Sequence, residues 1–221
     1  MRPAAVVFDL DGTLVDSAPD IHAAANVALA AIGRPALSLA EVTGFVGNGV
    51  SVLMRRCLDA GGGGDAALHA AALERFMAAY AADPARLTRP YPGVAAALAA
   101  LAEAGIPLAV CTNKPQDVAL AVLDALGLAG HFATVVGGGA GYPAKPDPAP
   151  LLACLDRLGA APAASVLVGD SETDAATAAQ AAVPFALFTG GYRHAPAEAI
   201  AAALRFDRFA DLAPCLLSGT A

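Results

Sequence analysis

The sequence predicts an α/β fold, a doubly wound parallel sheet interrupted by an all-helical segment, and three observations carry that prediction. Five short apolar runs are continuous rather than alternating in hydrophobicity, as expected of strands covered on both faces of a parallel sheet. Helical patterns separate most of these runs, giving the strand–helix alternation of a wound α/β domain. One stretch, residues 17–89, holds helical patterns and no strand candidate of comparable strength.

The first strand is AAVVFD (residues 4–9), which ends on an aspartate. The helical stretch follows as APDIHAAANVALAAIG, SLAEVTGFVG, GVSVLMRRCLDAG and DAALHAAALERFMAAYAAD. Ser17 with Asp20, and Ser38 with Glu41, have the capping-box spacing of helix starts. The insertion closes at the proline-rich DPARLTRPYPG, next to residues 15–18, and two such adjacent connections make a hinge. The expected division is therefore a core of residues 1–16 and 90–221 and a helical unit of residues 17–89. In the core, helices GVAAALAALAEAG, PQDVALAVLDALGL, DPAPLLACLDRLG and TDAATAAQAAV alternate with strands IPLAVCTN, ATVVGG, SVLVGD and PFALFTGG. The tetraglycine 61–64 follows no strand and reads as a turn between helices. GGGAG, residues 137–141, follows a strand but runs into Tyr142 and Pro143 instead of a helix, which argues against a dinucleotide site.

Composition excludes several classes. With 57% hydrophobic and 15% charged residues, 221 residues can bury a substantial core. The mean hydropathy of +0.58 is high, yet the best uncharged candidate for a span, residues 175–192, is broken by Gln180, Pro184, Gly190 and Gly191, so no membrane span is expected. The apolar start is too short for a signal peptide, and the expected location is the cytoplasm. A net charge of −7 opposes a nucleic-acid surface. Cys57, Cys111, Cys154 and Cys215 lie far apart in apolar contexts and read as free thiols, and the histidines show no paired spacing. Any bound metal is then expected to have oxygen ligands.

The chemistry concentrates in FDLDGTLVDS, where Asp9 ends a buried strand and Asp11 stands two residues on. Two desolvated, mutually repelling carboxylates cost several kcal/mol, of the order of isolated buried charges, and a divalent cation is the first candidate to offset them. Ligands of open α/β sheets bind at the carboxyl ends of strands. Those ends supply Asp9 and Asp11, Thr112 and Asn113, then Asp170 followed by Ser171, Glu172 and Asp174, with Lys145 in the loop GYPAKPDP. Several admit a plainer reading, Thr112 and Asn113 as a cap for the helix at Pro115, Ser171 with Asp174 as a helix cap, Lys145 as a solvated loop residue, but paired acids at a strand end, Asp9 with Asp11, have no structural purpose of that kind.

DLDGT, then TN, then a lysine before proline, then GDxxxD resembles the haloacid dehalogenase superfamily, in the family's order and over most of the chain. The helical unit resembles the mobile cap of its first cap class. FDLDGTLVDSAPD, FVGNGV, YPGV, CTNKP and VGDSETD are similar to phosphoglycolate phosphatases in particular. The resemblance implies a Rossmann-like core and a magnesium-dependent phosphomonoester hydrolase acting on a small phosphorylated metabolite, 2-phosphoglycolate first. It makes Asp9 the nucleophile that forms an aspartyl phosphate, and Asp11 the general acid and base, a role that needs a proton held there under a closed cap. Magnesium would be held by Asp9, the Asp11 carbonyl and Asp170. Thr112, Asn113 and Lys145 would hold phosphoryl oxygens, with Thr13 supporting and Asp174 orienting Lys145 or a metal-bound water. In the cap, Gly47, Asn48 and Gly49 would set specificity, and Arg56, rather than Arg55, matches an arginine that pairs with a substrate carboxylate.

Asp11 argues for phosphate esters over haloacids, which have no leaving alkoxide to protonate. A Schiff-base phosphonatase needs a cap lysine, and the chain's only lysines are Lys114 and Lys145, both outside residues 17–89. Sugar-phosphate phosphatases, β-phosphoglucomutase-like enzymes, pyrophosphatases and nucleotidases remain as alternatives, as does a catalytically silent binding module, which would have lost Asp9, Asp11, Lys145 or Asp170. The sequence leaves monomer and homodimer equally open.

Overall fold

The computed structural model describes residues 2–218. The chain begins with β1 (Val6–Phe8), turns into β2 (Val15–Asp16) and runs through α1 (Ala18–Ala31), α2 (Leu39–Thr43), α3 (Val50–Ala60) and α4 (Ala66–Ala82) to β3 (Arg89–Pro90). It continues through α5 (Val94–Glu103), β4 (Leu108–Pro115), α6 (Gln116–Ala125), β5 (Thr134–Gly138), α7 (Ala149–Leu158), β6 (Val166–Gly169), α8 (Glu172–Gln180), β7 (Phe185–Phe188), β8 (Leu204–Phe206) and α9 (Phe209–Ser218).

Six strands form one sheet in the order β5-β4-β1-β6-β7-β8, every neighbouring pair parallel. β1 lies between β4 and β6, so the strand order reverses there and opens the crevice where α/β sheets bind ligands. Successive side chains of a strand point to opposite faces, and the two faces carry separate cores. Val6 and Phe8 join Val110 and Val168 under α5, α6 and α9, whereas Val7 joins Ala109 and Leu167 under α7 and α8. α5 buries Val94, Ala97, Leu98 and Leu101, the i, i+3, i+4, i+7 stripe of a surface helix. Full burial of each of its leucines stabilises by about 1.5–3 kcal/mol.

β8 and α9 are elements that the apolar runs did not reveal. They form because Phe188, Phe206 and Phe209 pack ring against ring, with Phe206 and Phe209 edge to face at 5.3 Å between centroids, and Tyr91 closes the cluster on Phe188.

The two crossings between the sheet and α1–α4 lie side by side. β2 and β3 pair antiparallel, Val15 opposite Pro90 and Asp16 opposite Arg89. The capping box predicted for Ser38 and Glu41 is present. That predicted for Ser17 and Asp20 is not: Ser17 starts α1 without a side-chain cap. Ser17 Oγ donates instead to Asp11 Oδ1 at 2.6 Å. The buried Asp20 carboxylate accepts from the backbone N–H groups of Leu87 and Thr88 and from Thr88 Oγ1, the last two at 2.7 Å. Local spacing gave way to a stronger long-range demand, because the Leu87 and Thr88 amides enter β3 with no ladder partner of their own and an ionised acceptor answers them.

Candidate active site

Asp9 follows β1 directly, and its N–H donates to Val168 O at 2.9 Å, so the strand ladder fixes its backbone. Its side chain is buried, and Oδ1 lies 2.8 Å from Lys145 Nζ without hydrogen-bond alignment. Burial pushes the Asp9 carboxyl up to about 6, opposed by Lys145 and helped by Asp174. Gly12 then reverses the chain at φ +84°, and the buried Thr13 donates from Oγ1 to Asp170 Oδ1 at 2.6 Å.

Asp170 follows β6, beside Asp9. Its Oδ2 accepts from the backbone N–H of Tyr192 at 2.7 Å. Glycine backbones enclose this carboxylate: a Cβ on Gly191 would lie 2.3 Å from Asp170 Oδ2, and one on Gly12 would lie 2.6 Å from it. Burial, then the nearby Asp174 and Asp9 carboxylates, raise Asp170 well above the usual carboxylate range.

Lys145 Nζ donates to Asp174 Oδ1 at 2.6 Å. Burial opposes its charge, but Asp174 and Asp9 outweigh it and hold the ammonium above its ordinary value. Asp174 makes two sets of contacts, one at a helix start and one to Lys145. Oδ2 accepts from Ser171 N and Oγ in a capping box at the start of α8, while Oδ1 orients Lys145. Asn113 serves Lys145 too: Oδ1 accepts from Lys145 N at 2.8 Å, and Nδ2 donates to Lys145 O and Gly47 O, each at 3.0 Å. Its carboxamide is therefore engaged in holding two loops, and it keeps no free N–H for a phosphoryl oxygen. Thr112 Oγ1 accepts from Lys114 N at 3.2 Å and retains its own proton to donate.

Lys114 is the feature that the sequence reading left without a role. Buried at the end of β4, it places Nζ 2.8 Å from Asp11 Oδ1, against the Tyr80 hydroxyl, and 4.5 Å from the Tyr80 ring centroid. Burial pulls this ammonium down, while Asp11 and Tyr80 more than restore it, leaving it above its usual value. The scarcity of lysine, two in the whole sequence, is the one signal that a sequence reading can use; its burial is seen only in the fold.

A pocket joins the strand ends to the helices. Asp9, Asp11, Thr112, Asn113 and Lys114 line one side, and Gly47 and Gly49 border it with Phe76 and Tyr80 on the other. Gly47 and Gly49 adopt φ +115° and +84°, a backbone that only glycine takes without strain. Asn48 and Arg56 lie outside the lining. Asn48 Nδ2 donates to Thr173 Oγ1 at 3.1 Å, and Arg56 donates to Phe45 O and Asn48 Oδ1. Arg55 donates to Gly64 O. With Gly47 O on Asn113, the 45–49 loop is held at two points, to β4 by Asn113 and to α8 by Thr173.

Oxygens of Asp9, Asp170 and Asp174 all lie within 4.8 Å of one another, close enough for one cation. The unbonded Asp9 Oδ1, the glycine enclosure around Asp170 and an all-oxygen donor set fit a hard divalent ion such as magnesium. Asp174 is committed to Lys145 and Ser171, so Asp9 and Asp170 are the carboxylates best able to bind it directly.

The arrangement combines a strand-end carboxylate paired with a buried lysine, a second acid two residues later and an acidic pair suited to a cation. Residues 3–182 match the family model described as haloacid dehalogenase-like hydrolase. The chain belongs to the haloacid dehalogenase-like hydrolase family. It is 54% identical over 192 residues to a phosphoglycolate phosphatase of Cereibacter sphaeroides (strain ATCC 17025 / ATH 2.4.3), covering 86% of this chain and 87% of that one. It is 46% identical to a phosphoglycolate phosphatase of Rhodospirillum rubrum, covering 95% and 89%. Among solved structures, a predicted phosphoglycolate phosphatase from Haemophilus somnus 129PT superposes with a TM-score of 0.92 at 32% identity, over 100% of this chain and 99% of that one. CbbY from Rhodobacter sphaeroides, in complex with phosphate, gives 0.78 at 27% identity over 95% and 96%. Among the described residues no helix is long and apolar enough to cross a membrane.

Proposed function

We propose that this hydrolase is a magnesium-dependent phosphatase that cleaves 2-phosphoglycolate to glycolate and phosphate through an aspartyl phosphate on Asp9. The observation that carries the reading is the convergence of Lys145, Asp174 and Asp170 on Asp9, which itself lines a small pocket with Asp11, in a chain whose 54%-identical relative is a phosphoglycolate phosphatase.

A bound magnesium ion supplies charge neutralisation at the phosphoryl group and the clustered carboxylates. Asp9 attacks phosphorus in line, the bond to the glycolate oxygen breaks, and Asp11 gives that oxygen a proton. Asp11 then takes a proton from the water that attacks the phosphoryl group, so Asp9 is released and phosphate leaves. Lys145 and the Thr112 hydroxyl hold phosphoryl oxygens, Asp174 and Asn113 position Lys145, and Thr13 holds Asp170. Residues 17–89 act as a cap that opens about the β2–β3 crossing and, when shut, excludes water.

The test is hydrolysis of 2-phosphoglycolate, hexose phosphates and pyrophosphate, each with magnesium and with excess chelator. Magnesium-dependent turnover with the highest kcat/KM on 2-phosphoglycolate is the expected result. A marked preference for hexose phosphates or pyrophosphate would overturn the substrate assignment, and full activity under chelation would overturn the metal assignment.

A further inference from the structure

We infer that Lys114, held by Tyr80, reads the carboxylate of the substrate's leaving group. This rests on the phosphoglycolate reading above and assigns it a recognition residue. The two lysines divide the site: Lys145 pairs with Asp9, and Lys114 pairs with Asp11. With Asp9 attacking phosphorus, the departing oxygen lies opposite it, beside Asp11. In 2-phosphoglycolate one methylene separates that oxygen from the carboxylate, so the ammonium bonded to Asp11 lies within reach of it.

Lys114 has capacity for this contact. An ammonium has three donors, and among the described residues Nζ meets Asp11 Oδ1 and Tyr80 Oη only. Among the described residues Tyr80 Oη hydrogen-bonds only Lys114, leaving the hydroxyl proton available to the same carboxylate. Both residues line the pocket, whereas Arg56 is turned onto Phe45 and Asn48 outside it.

The rest of the wall restricts the ligand. Ile21, Val46, Val50, Leu53 and Phe76 line the pocket from the 17–89 segment and offer no side-chain partner to a hydroxyl. The space open to the centre of a water-sized sphere is about 40 Å³. A sugar phosphate would bury unpaired hydroxyls there, at a cost in affinity. The favoured class is a short phosphorylated hydroxy acid with its carboxylate one or two carbons from the ester oxygen.

Ethyl phosphate, which has a methyl group in place of the carboxylate of 2-phosphoglycolate, provides the test. The wild type is expected to prefer 2-phosphoglycolate in kcat/KM by about a hundredfold or more, the scale of a buried charged contact. Lys114→Met should lower kcat/KM for 2-phosphoglycolate about a hundredfold, mainly through KM, and for ethyl phosphate only a few-fold. Lys114→Arg should recover part of the loss. Tyr80→Phe should show a smaller loss confined to the carboxylated ester, and it decides the question if Lys114→Met fails to fold. Equal losses on both esters from a discriminating wild type would overturn the assignment to Lys114 while leaving the phosphoglycolate reading intact. A wild type that turns over both esters equally would overturn that reading and the inference together.

Discussion

Tyr192 donates its backbone N–H to Asp170 Oδ2 at 2.7 Å, so the residue that secures a carboxylate of the candidate cation site also reaches the β2–β3 crossing. Its hydroxyl donates to Asp16 Oδ1 at 2.5 Å and accepts from the N–H groups of Ser17 and Ala18 at 2.8 and 3.0 Å. Burial and the neighbouring Tyr91 keep this phenol protonated well above its ordinary range. One side chain thereby bonds the first amides of α1, which lack a helical acceptor, to the strand-end site.

Tyr192→Phe removes the hydroxyl and leaves the backbone contact to Asp170. The amides of Ser17 and Ala18 lose their acceptor and Asp16 its donor, a loss of about 1–3 kcal/mol in stability. Denaturant unfolding should show that fall, while the magnesium concentration for half-maximal activity stays within a few-fold of the wild type.

Gly191→Ala acts on the other end of the same segment. Its Cβ would stand 2.3 Å from Asp170 Cβ and from Gly12 O, and such overpacking costs about 1–3 kcal/mol. The expected outcome is weaker metal binding by titration calorimetry, because relief requires Asp170 or the Gly12 turn to move.

Asp20 and Ser17 separate a structural from a functional hydroxyl–carboxylate network. Asp20→Ala leaves the amides of Leu87 and Thr88 and the Thr88 hydroxyl without their acceptor, and should destabilise by about 3 kcal/mol or more, since hydrogen bonds to a charged group are the strong ones. Ser17→Ala removes a partner of Asp11 but no helix cap, and should lower kcat with a smaller change in the unfolding midpoint.

The contrast between those residues shows what was legible in the sequence. The five core strands, the helices of residues 17–89 and the acids at the strand ends were readable because a parallel sheet makes its interior strands apolar and its ligand-binding ends polar. β8 was not, since LRF is short and draws its burial from Phe188 on the preceding strand and from Phe209 at the start of α9. Asp20 had the right spacing for a cap but answers to Thr88, 68 residues on. Lys114 stands in CTNKP between a strand and the helix at Pro115, a position that suggests no partner; only the fold brings Tyr80 to it from α4. Asn113 was readable as a site residue, but its engagement with Lys145 and Gly47 depends on two loops that no local pattern brings together.

Proton and cation compete for Asp9. In the metal-free protein its carboxyl is pushed up to about 6 by burial, so the folded state favours the protonated form. Stability from that carboxyl is present below the usual carboxylate range and is lost as pH rises through about 6. Magnesium binds the ionised form, so its stabilising effect grows over the same window. Melting temperatures with and without magnesium should differ little at pH 5 and clearly at pH 8; an increment equal at both would contradict the assignment of Asp9 as a ligand.

The central claim, that Asp9 carries the phosphoryl group, is tested most directly by acid-quenching the enzyme during turnover of 2-phosphoglycolate and mapping the adduct by mass spectrometry. The account predicts one phosphoryl group on the peptide containing Asp9, absent in Asp9→Asn, with activity of that variant reduced at least about a thousandfold. A phosphoryl group on another residue, or an Asp9→Asn enzyme turning over at the wild-type rate, would contradict it.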